Sequence, residues 1–189
     1  MAMLTLGVLL WAIVHLFPSL TPGVRSRLIE KVGEGPYKGL FAVAIVLAIL
    51  LMVFGWRSMP MEMWYTPPLH GTPAIAAVLV LVAFVLMGAA NAPTNVKRVL
   101  RHPMLTGVIV WGGAHLLVNG DNRSVVLFGG LIIWAVIAIV SISKREGEWT
   151  KPGAVPLSGD IVLVVVGALL TAVVAYFHEY LSGVAILGL

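Results

Sequence analysis

A tryptophan followed four residues later by a histidine occurs twice in this chain, in the same setting. Gly7-Val8-Leu9-Leu10-Trp11-Ala12-Ile13-Val14-His15-Leu16 and Gly107-Val108-Ile109-Val110-Trp111-Gly112-Gly113-Ala114-His115-Leu116 both read G-V-x-x-W-x-x-x-H-L, inside apolar runs that look membrane-spanning. An imidazole in hydrocarbon must stay neutral and find a partner, or be solvated through a cavity, so an intramembrane histidine is a functional candidate by default. Two in matching settings point to one shared site. The competing reading is that each ring merely bonds a carbonyl of its own helix and that the recurrence is chance.

On a helix the neighbours of each histidine lie three and four residues back. For His15 these are Ala12 and Trp11, and for His115 they are Gly112 and Trp111. A small residue lets a flat object or another helix approach the backbone, and the indole supplies an aromatic wall. A haem plane fits such a slot, and so does a plain small-residue packing face. At 1.5 Å per residue each histidine lies on the order of 18 Å from the start of its helix, so the two flank the midplane with a depth offset of about 8 Å. Two axial imidazoles, each bonding iron at about 2 Å, hold their backbones on the order of 12 Å apart, which that offset tolerates. With both axial positions filled, the site favours electron transfer or redox sensing over open-site oxygen chemistry.

Arg101-His102-Pro103, with Lys97 and Arg98 a turn earlier, is a second cluster. Proline suits the first position of a helix, and a helix N-terminus flanked by basic residues favours an anion: a phosphate, a haem propionate or a lipid head group. The basic end of a span looks the same. His70 is expected to be exposed, and His178 to be an interface residue with no special role. Asn119-Gly120-Asp121-Asn122 is a turn that could hold Asp121 over the outer mouth of the bundle. Glu146 and Glu148 could pair with Lys144 and Arg145. None of these has metal-ligand spacing or the makings of a nucleophile triad.

The elements that must position these residues follow from composition. Of 189 residues, 60% are hydrophobic and 11% charged, against about 25% charged in ordinary soluble domains, so the chain reads as a polytopic membrane protein. No cysteine is present, which excludes disulfides, thiolate metal sites and covalent haem attachment. The formal charge of +4 sits in short loops and reads as a topology determinant rather than a nucleic-acid surface. The opening residues lack a basic stretch and a cleavage site, so the first segment is expected to stay in the mature protein. Six segments approach the roughly 20 apolar residues that a span needs: about Met3 to Leu20, Tyr37 to Trp56, Thr72 to Ala92, Pro103 to Asn119, Ser124 to Ser143 and Gly159 to Tyr180. Trp64 and Tyr65, in the Pro-rich loop after the second, are expected at the interface. The tail from Leu181 to Leu189 prolongs the last helix or lies in the interface.

Ten Lys and Arg fall in the loops after spans one, three and five, and only Arg57 and Arg123 in the other two. The positive-inside rule then puts both termini on the outer side of the membrane. The expectation is an all-α polytopic bundle of about six transmembrane helices, a single domain over 1–189, whose partners are the lipid bilayer and a lipophilic small molecule or redox protein. In that topology the two motif copies run in opposite directions three spans apart, as a three-plus-three inverted repeat requires.

Trp11-x-x-x-His15, Gly33-Glu34-x-x-Tyr37-Lys38-x-Leu40-Phe41, Arg101-His102-Pro103-Met104-x-x-Gly107 and Trp111-x-x-Ala114-His115 together resemble the NnrU family, over roughly residues 5 to 130. That family is similar to plant and cyanobacterial zeta-carotene isomerase. The resemblance implies a multi-span protein associated with active nitrite and nitric oxide reductases in denitrification. From the carotenoid members it implies haem b, with axial histidines that match His15 and His115. The isomerase carries a cysteine three residues before its second histidine as an alternative ligand. Gly112 stands there in this chain, so that ligand switch has no counterpart. The inner segment after span five is also reduced, to Lys144 through Asp160. R-H-P-x-x-x-G is similar, too, to a block of membrane methyltransferases that bind S-adenosylmethionine, but Arg145-Glu146-Gly147-Glu148-Trp149 lacks their later acidic and aromatic motif.

Overall fold

The structure, a computed structural model, describes residues 1–70 and 73–184. Every regular element among them is helical: α1 (Ala2–Leu20), α2 (Pro22–Val32), α3 (Glu34–Ser58), α4 (Pro73–Ala89), α5 (Pro103–Val118), α6 (Asn122–Glu146) and α7 (Leu157–Ser182), with a 3₁₀ turn at Asn95–Arg98. Four of these, α1, α3, α6 and α7, are long and apolar enough to cross a membrane. Their outward faces carry residues such as Leu40, Val43, Phe54, Ile133, Val165 and Leu169, largely exposed, a surface that lipid rather than water would solvate. The apolar helices α4 and α5 are shorter, at 17 and 16 residues; α5 keeps the short length expected between Pro103 and Asn119, while α4 stops at Ala89 instead of Ala92. The start of the third expected span at Thr72 and the end of the tail lie outside the described residues.

Two features differ from the expectation for local reasons. The first span ends at Leu20, as expected, but Pro22 beyond it opens a further helix, α2, where its missing N–H costs nothing. The stretch holding Arg25, Arg27 and Lys31, read as a loop, is this helix, and it stops at Gly33, whose φ of 86° only glycine adopts readily. Asp121 does not stand open over a mouth. It is 6% exposed and caps α6: its Oδ1 accepts from the amides of Arg123 and Ser124 at 3.1 Å each, and its Oδ2 from the Ser124 hydroxyl at 2.6 Å. Early in α6, Val125–Gly129 forms a π-helical turn.

The chain forms two compact units, residues 1–66 with 119–148 and residues 67–118 with 149–189. In the first, α1 packs on α3 and α6. Small residues set these crossings: Gly55 abuts the Leu4 backbone, and a methyl group on Gly130 would come within 2.5 Å of Val8 Cγ1. The loop after α3 is stitched to the turn before α6, with Trp64 and Tyr65 amides donating to the Gly120 carbonyl and the Tyr65 hydroxyl to that of Asn119.

In the second unit α4 packs on α5 and α7. Gly167 and Gly88 of opposite helices admit Val85 and Leu163. A polar clasp closes one end: the Asp160 carboxylate accepts from the Thr94 hydroxyl, the Asn95 amide at 2.9 Å and Asn95 Nδ2 at 2.6 Å, while Asn95 also pairs with the Val155 backbone. A repeat in chain order would group the first three spans apart from the last three. The units instead group α1, α3 and α6, and α4, α5 and α7, so the packing does not follow that repeat.

Candidate functional site

What does recur is the packing of each motif copy on a neighbour. A methyl group on Gly7 would meet Met52 N at 2.7 Å, Met52 Cγ at 2.8 Å and the Ala48 carbonyl at 2.9 Å; on Gly107 it would meet the Ala83 carbonyl at 2.8 Å, Met87 Cγ at 2.8 Å and Met87 N at 3.1 Å. Each copy thus lays its glycine on an Ala-x-x-x-Met turn, on α3 for the first and α4 for the second. The glycines allow a contact that any side chain would wedge apart.

Two turns along from each glycine stands the histidine. His15 Nδ1 donates to the Trp11 carbonyl at 2.9 Å, and His115 Nδ1 donates to the Trp111 carbonyl at 2.8 Å. A carbonyl can only accept, so both rings are Nδ1–H tautomers with the lone pair on Nε2, the form in which imidazole ligates a metal. This is the helix-carbonyl bond of the plainer sequence reading, and it orients the ring for the other.

The surroundings of the two rings differ. His15 is boxed by aromatic rings, with centroids 4.1 Å from Trp11, 5.2 Å from Trp134 and 5.6 Å from Phe41. Trp11 and Trp134 meet edge-on at 5.7 Å, and the indole N–H of each is buried with no acceptor among the described residues. His115 touches the Trp111 ring at 4.9 Å, and the adjacent Gly112 is buried. Nearly parallel to His115, at 6.4 Å and 24°, lies His178 of α7, whose Nδ1 donates to the Val184 carbonyl at 2.8 Å. His178, assigned no special role from sequence, is therefore part of the His115 surroundings. Its only sequence signal was a histidine within an apolar run.

Arg101 and His102 immediately precede α5, where Pro103 takes the first position, and the His102 carbonyl accepts from the Thr106 amide and hydroxyl at 3.0 Å each. Along α5 they lie about 20 Å from His115, so one group cannot easily touch both. Among the described residues no three His, Asp or Glu side chains group around a metal-sized space.

The family model described as NnrU protein matches residues 3–186. The chain belongs to the NnrU family. No curated protein and no solved structure matches it.

Two cavities complete the picture of this NnrU chain. One of about 400 Å³ is lined by Val85, Val96, Val99, Leu100, Leu163 and Val164, with Asn95 and Asp160 of the clasp at its polar edge. The other, about 270 Å³, lies among Pro18 of α1, Arg25 of α2, and Glu34, Tyr37, Lys38 and Phe41 of α3. There Lys38 bridges to Glu34 at 2.8 Å, and the Arg25 guanidinium lies 5.7 Å from the Tyr37 ring centre.

Proposed function

We propose that this NnrU protein is a six-span protein of the bacterial inner membrane, with both termini outside, that binds haem b through the imidazoles of His15 and His115. Its role is redox or haem-handling support of nitrite and nitric oxide reductase activity in denitrification. The family supports the denitrification setting, and the ten-to-two bias of basic residues supports the topology.

The observation that carries the ligand assignment is the matched pair of Nδ1–H bonds to the Trp11 and Trp111 carbonyls, which puts the lone pair of each ring on Nε2. The donor set fits iron in a macrocycle: two imidazoles suffice, whereas a free ion needs more ligands than the described residues gather. The acceptor-less indole N–H groups beside His15 also fit a site whose polar contents are not all protein. Bound haem would supply one-electron transfer; the chain's own part is to orient the two rings and exclude water with Trp11, Trp134, Phe41 and Trp111. Arg101 and His102, remote from His115 along α5, serve an anionic ligand at the helix start.

The deciding experiment is the visible spectrum of the purified protein, oxidised and dithionite-reduced. Sharp reduced α and β bands are expected, lost in His15→Ala and in His115→Ala and retained in His178→Ala. Retention in His15→Ala with loss in His178→Ala would hand the second ligand to His178. His178 is the alternative to test because its ring centre lies 6.4 Å from that of His115, close enough for both to meet one bound group. Absence of haem from protein made with ample haem supply ends the reading.

A second reading, an enzyme acting on a lipophilic substrate, is favoured by the apolar cavity that Val99 and Leu100 line just before Arg101. Turnover of a lipid substrate that depends on Arg101 and not on His15 would establish it.

A further inference from the structure

We infer that the cavity among α1, α2 and α3, whose wall at Pro18 is one helical turn beyond His15, receives the carboxylates of haem, held by Arg25 and Lys38. This rests on the haem reading above, and it moves propionate support from Arg101 and His102 to a different part of the chain.

The cavity has two ends of different chemistry. Its polar end is made by Arg25, Lys38, Glu34 and the edge of Tyr37; its apolar end is Pro18 and Phe41. Glu34, Tyr37, Lys38 and Phe41 follow one another at the spacing of a single helix face, so α3 presents a stripe that runs from charge to hydrocarbon within two turns. Phe41 at the apolar end is the same ring that meets His15 edge-on at 5.6 Å. Pro18 at the opposite wall is one turn beyond His15, about 5 Å along α1. A ligand that touches His15 and is charged at one edge would therefore reach the basic end past Phe41.

Charge selects the kind of edge. A carboxylate in hydrocarbon is costly, so a haem in a bilayer needs cations where its propionates emerge. Arg25 and Lys38 outnumber Glu34 at the cavity; Arg145 of α6 stands at its border, 3.0 Å from Ser19 Oγ and 3.4 Å from the Pro18 carbonyl, but its charge is paired with Glu146 at 3.3 Å. The Lys38 to Glu34 bridge is exposed on both sides, and such a pair is weak enough for Lys38 to turn to a stronger acceptor. Arg25, spread over Tyr37, offers a planar fork suited to a carboxylate.

The test compares haem with haem dimethyl ester, which keeps the iron and macrocycle but has no carboxylate. Both are titrated by Soret absorbance into purified haem-free protein: wild type, Lys38→Gln, Arg25→Gln with Lys38→Gln, and Lys144→Gln as a charge control. Wild type is expected to prefer haem over the ester by roughly tenfold to a hundredfold, the worth of one or two charge-assisted hydrogen bonds. The double variant should bring that preference close to one, Lys38→Gln should lower it partway, and Lys144→Gln should leave it unchanged. In every haem-bound sample the reduced α band should keep its position, since the iron ligands are untouched. Equal binding of haem and ester by wild type, or a preference that survives in the double variant, overturns the inference while leaving the haem reading intact. So does a native mass spectrum in which the double variant loses a bound phosphatidylglycerol rather than haem, which would assign the cavity to a lipid phosphate. Wild type that binds neither porphyrin overturns both, and it is recognised by the lack of any Soret shift.

Discussion

Gly107 of α5 and Met87 of α4 lie in backbone contact: a methyl group on Gly107 would fall 2.8 Å from Met87 Cγ and 3.1 Å from Met87 N. Gly7 stands in the same relation to Met52 of α3. The obstructing atoms include backbone, which cannot swing aside as a side-chain tip can. Gly107→Ala and Gly7→Ala are therefore each expected to push the helices apart and cost about 1–3 kcal/mol, the usual penalty of overpacking. Thermal unfolding in detergent should show a lower midpoint for both, whereas Gly39→Ala, at a position open on all sides, should not lower it.

Trp134 makes the opposite case. It is 8% exposed, and its indole N–H has no acceptor among the described residues. Truncating a buried tryptophan to alanine ordinarily costs about 3–5 kcal/mol. Trp134→Phe keeps a ring against Trp11 and His15 while removing an unsatisfied donor, so the haem-free protein should lose no more than about 1.5 kcal/mol. A loss as large as truncation, measured by denaturant titration, would mean that the N–H has a partner.

The clasp on Asp160 should be the weak point of the second unit. Thr94→Val removes a buried hydroxyl that donates to the carboxylate and accepts from Val96 N, and should cost about 1–2 kcal/mol. Asp160→Asn keeps the shape but replaces an acceptor with a donor facing Asn95. Limited proteolysis should then cut faster within the segment from Trp149 to Pro156, which the clasp ties down through Val155.

Tyr65 lies outside the spans, and its phenol is pushed above its ordinary range, first by burial and then by the negative charge of Asp121. A folded-state value above the unfolded one contributes stability below the unfolded pKa of about 10, and that contribution is lost as pH rises through the folded value. The ultraviolet titration of the folded protein should therefore contain a late-ionising phenol, absent from Tyr65→Phe. Loss of that component from some other tyrosine variant, with Tyr65→Phe unchanged, would refute the assignment.

The apolar runs placed every long helix within a few residues, because hydrocarbon thickness imposes a length that composition alone reveals. Turns and polar stretches were harder. The segment from Pro22 to Val32 is basic and short, and it reads as loop until the proline at its start and the glycine at its end are seen to frame a helix. The motif glycines were legible as repeated letters, but their role was not, since the Ala-x-x-x-Met turns that receive them lie on helices whose pairing the chain order does not reveal. His178 was assigned no role for the same reason: only the packing of α7 in its unit sets it beside His115. Arg25 and Lys38 were read for the side of the membrane they mark and Tyr37 as the start of a span, while the fold gathers them around a cavity.

The π-helical turn at Val125–Gly129 gives α6 one residue more than a regular helix needs between its capped start at Asp121 and Trp134. Each residue of an α-helix turns the chain by about 100°, and the bulge absorbs the surplus residue so that the helix beyond it keeps its phase. Deleting one residue of the turn would return it to regular helix with Trp134 still facing His15, whereas deleting one residue between Gly130 and Trp134, where no bulge takes up the loss, would swing Trp134 away from His15. The wall of the His15 box is thus encoded in a residue count as much as in a residue type, with the one stretch of the helix that can give up a position lying just before it.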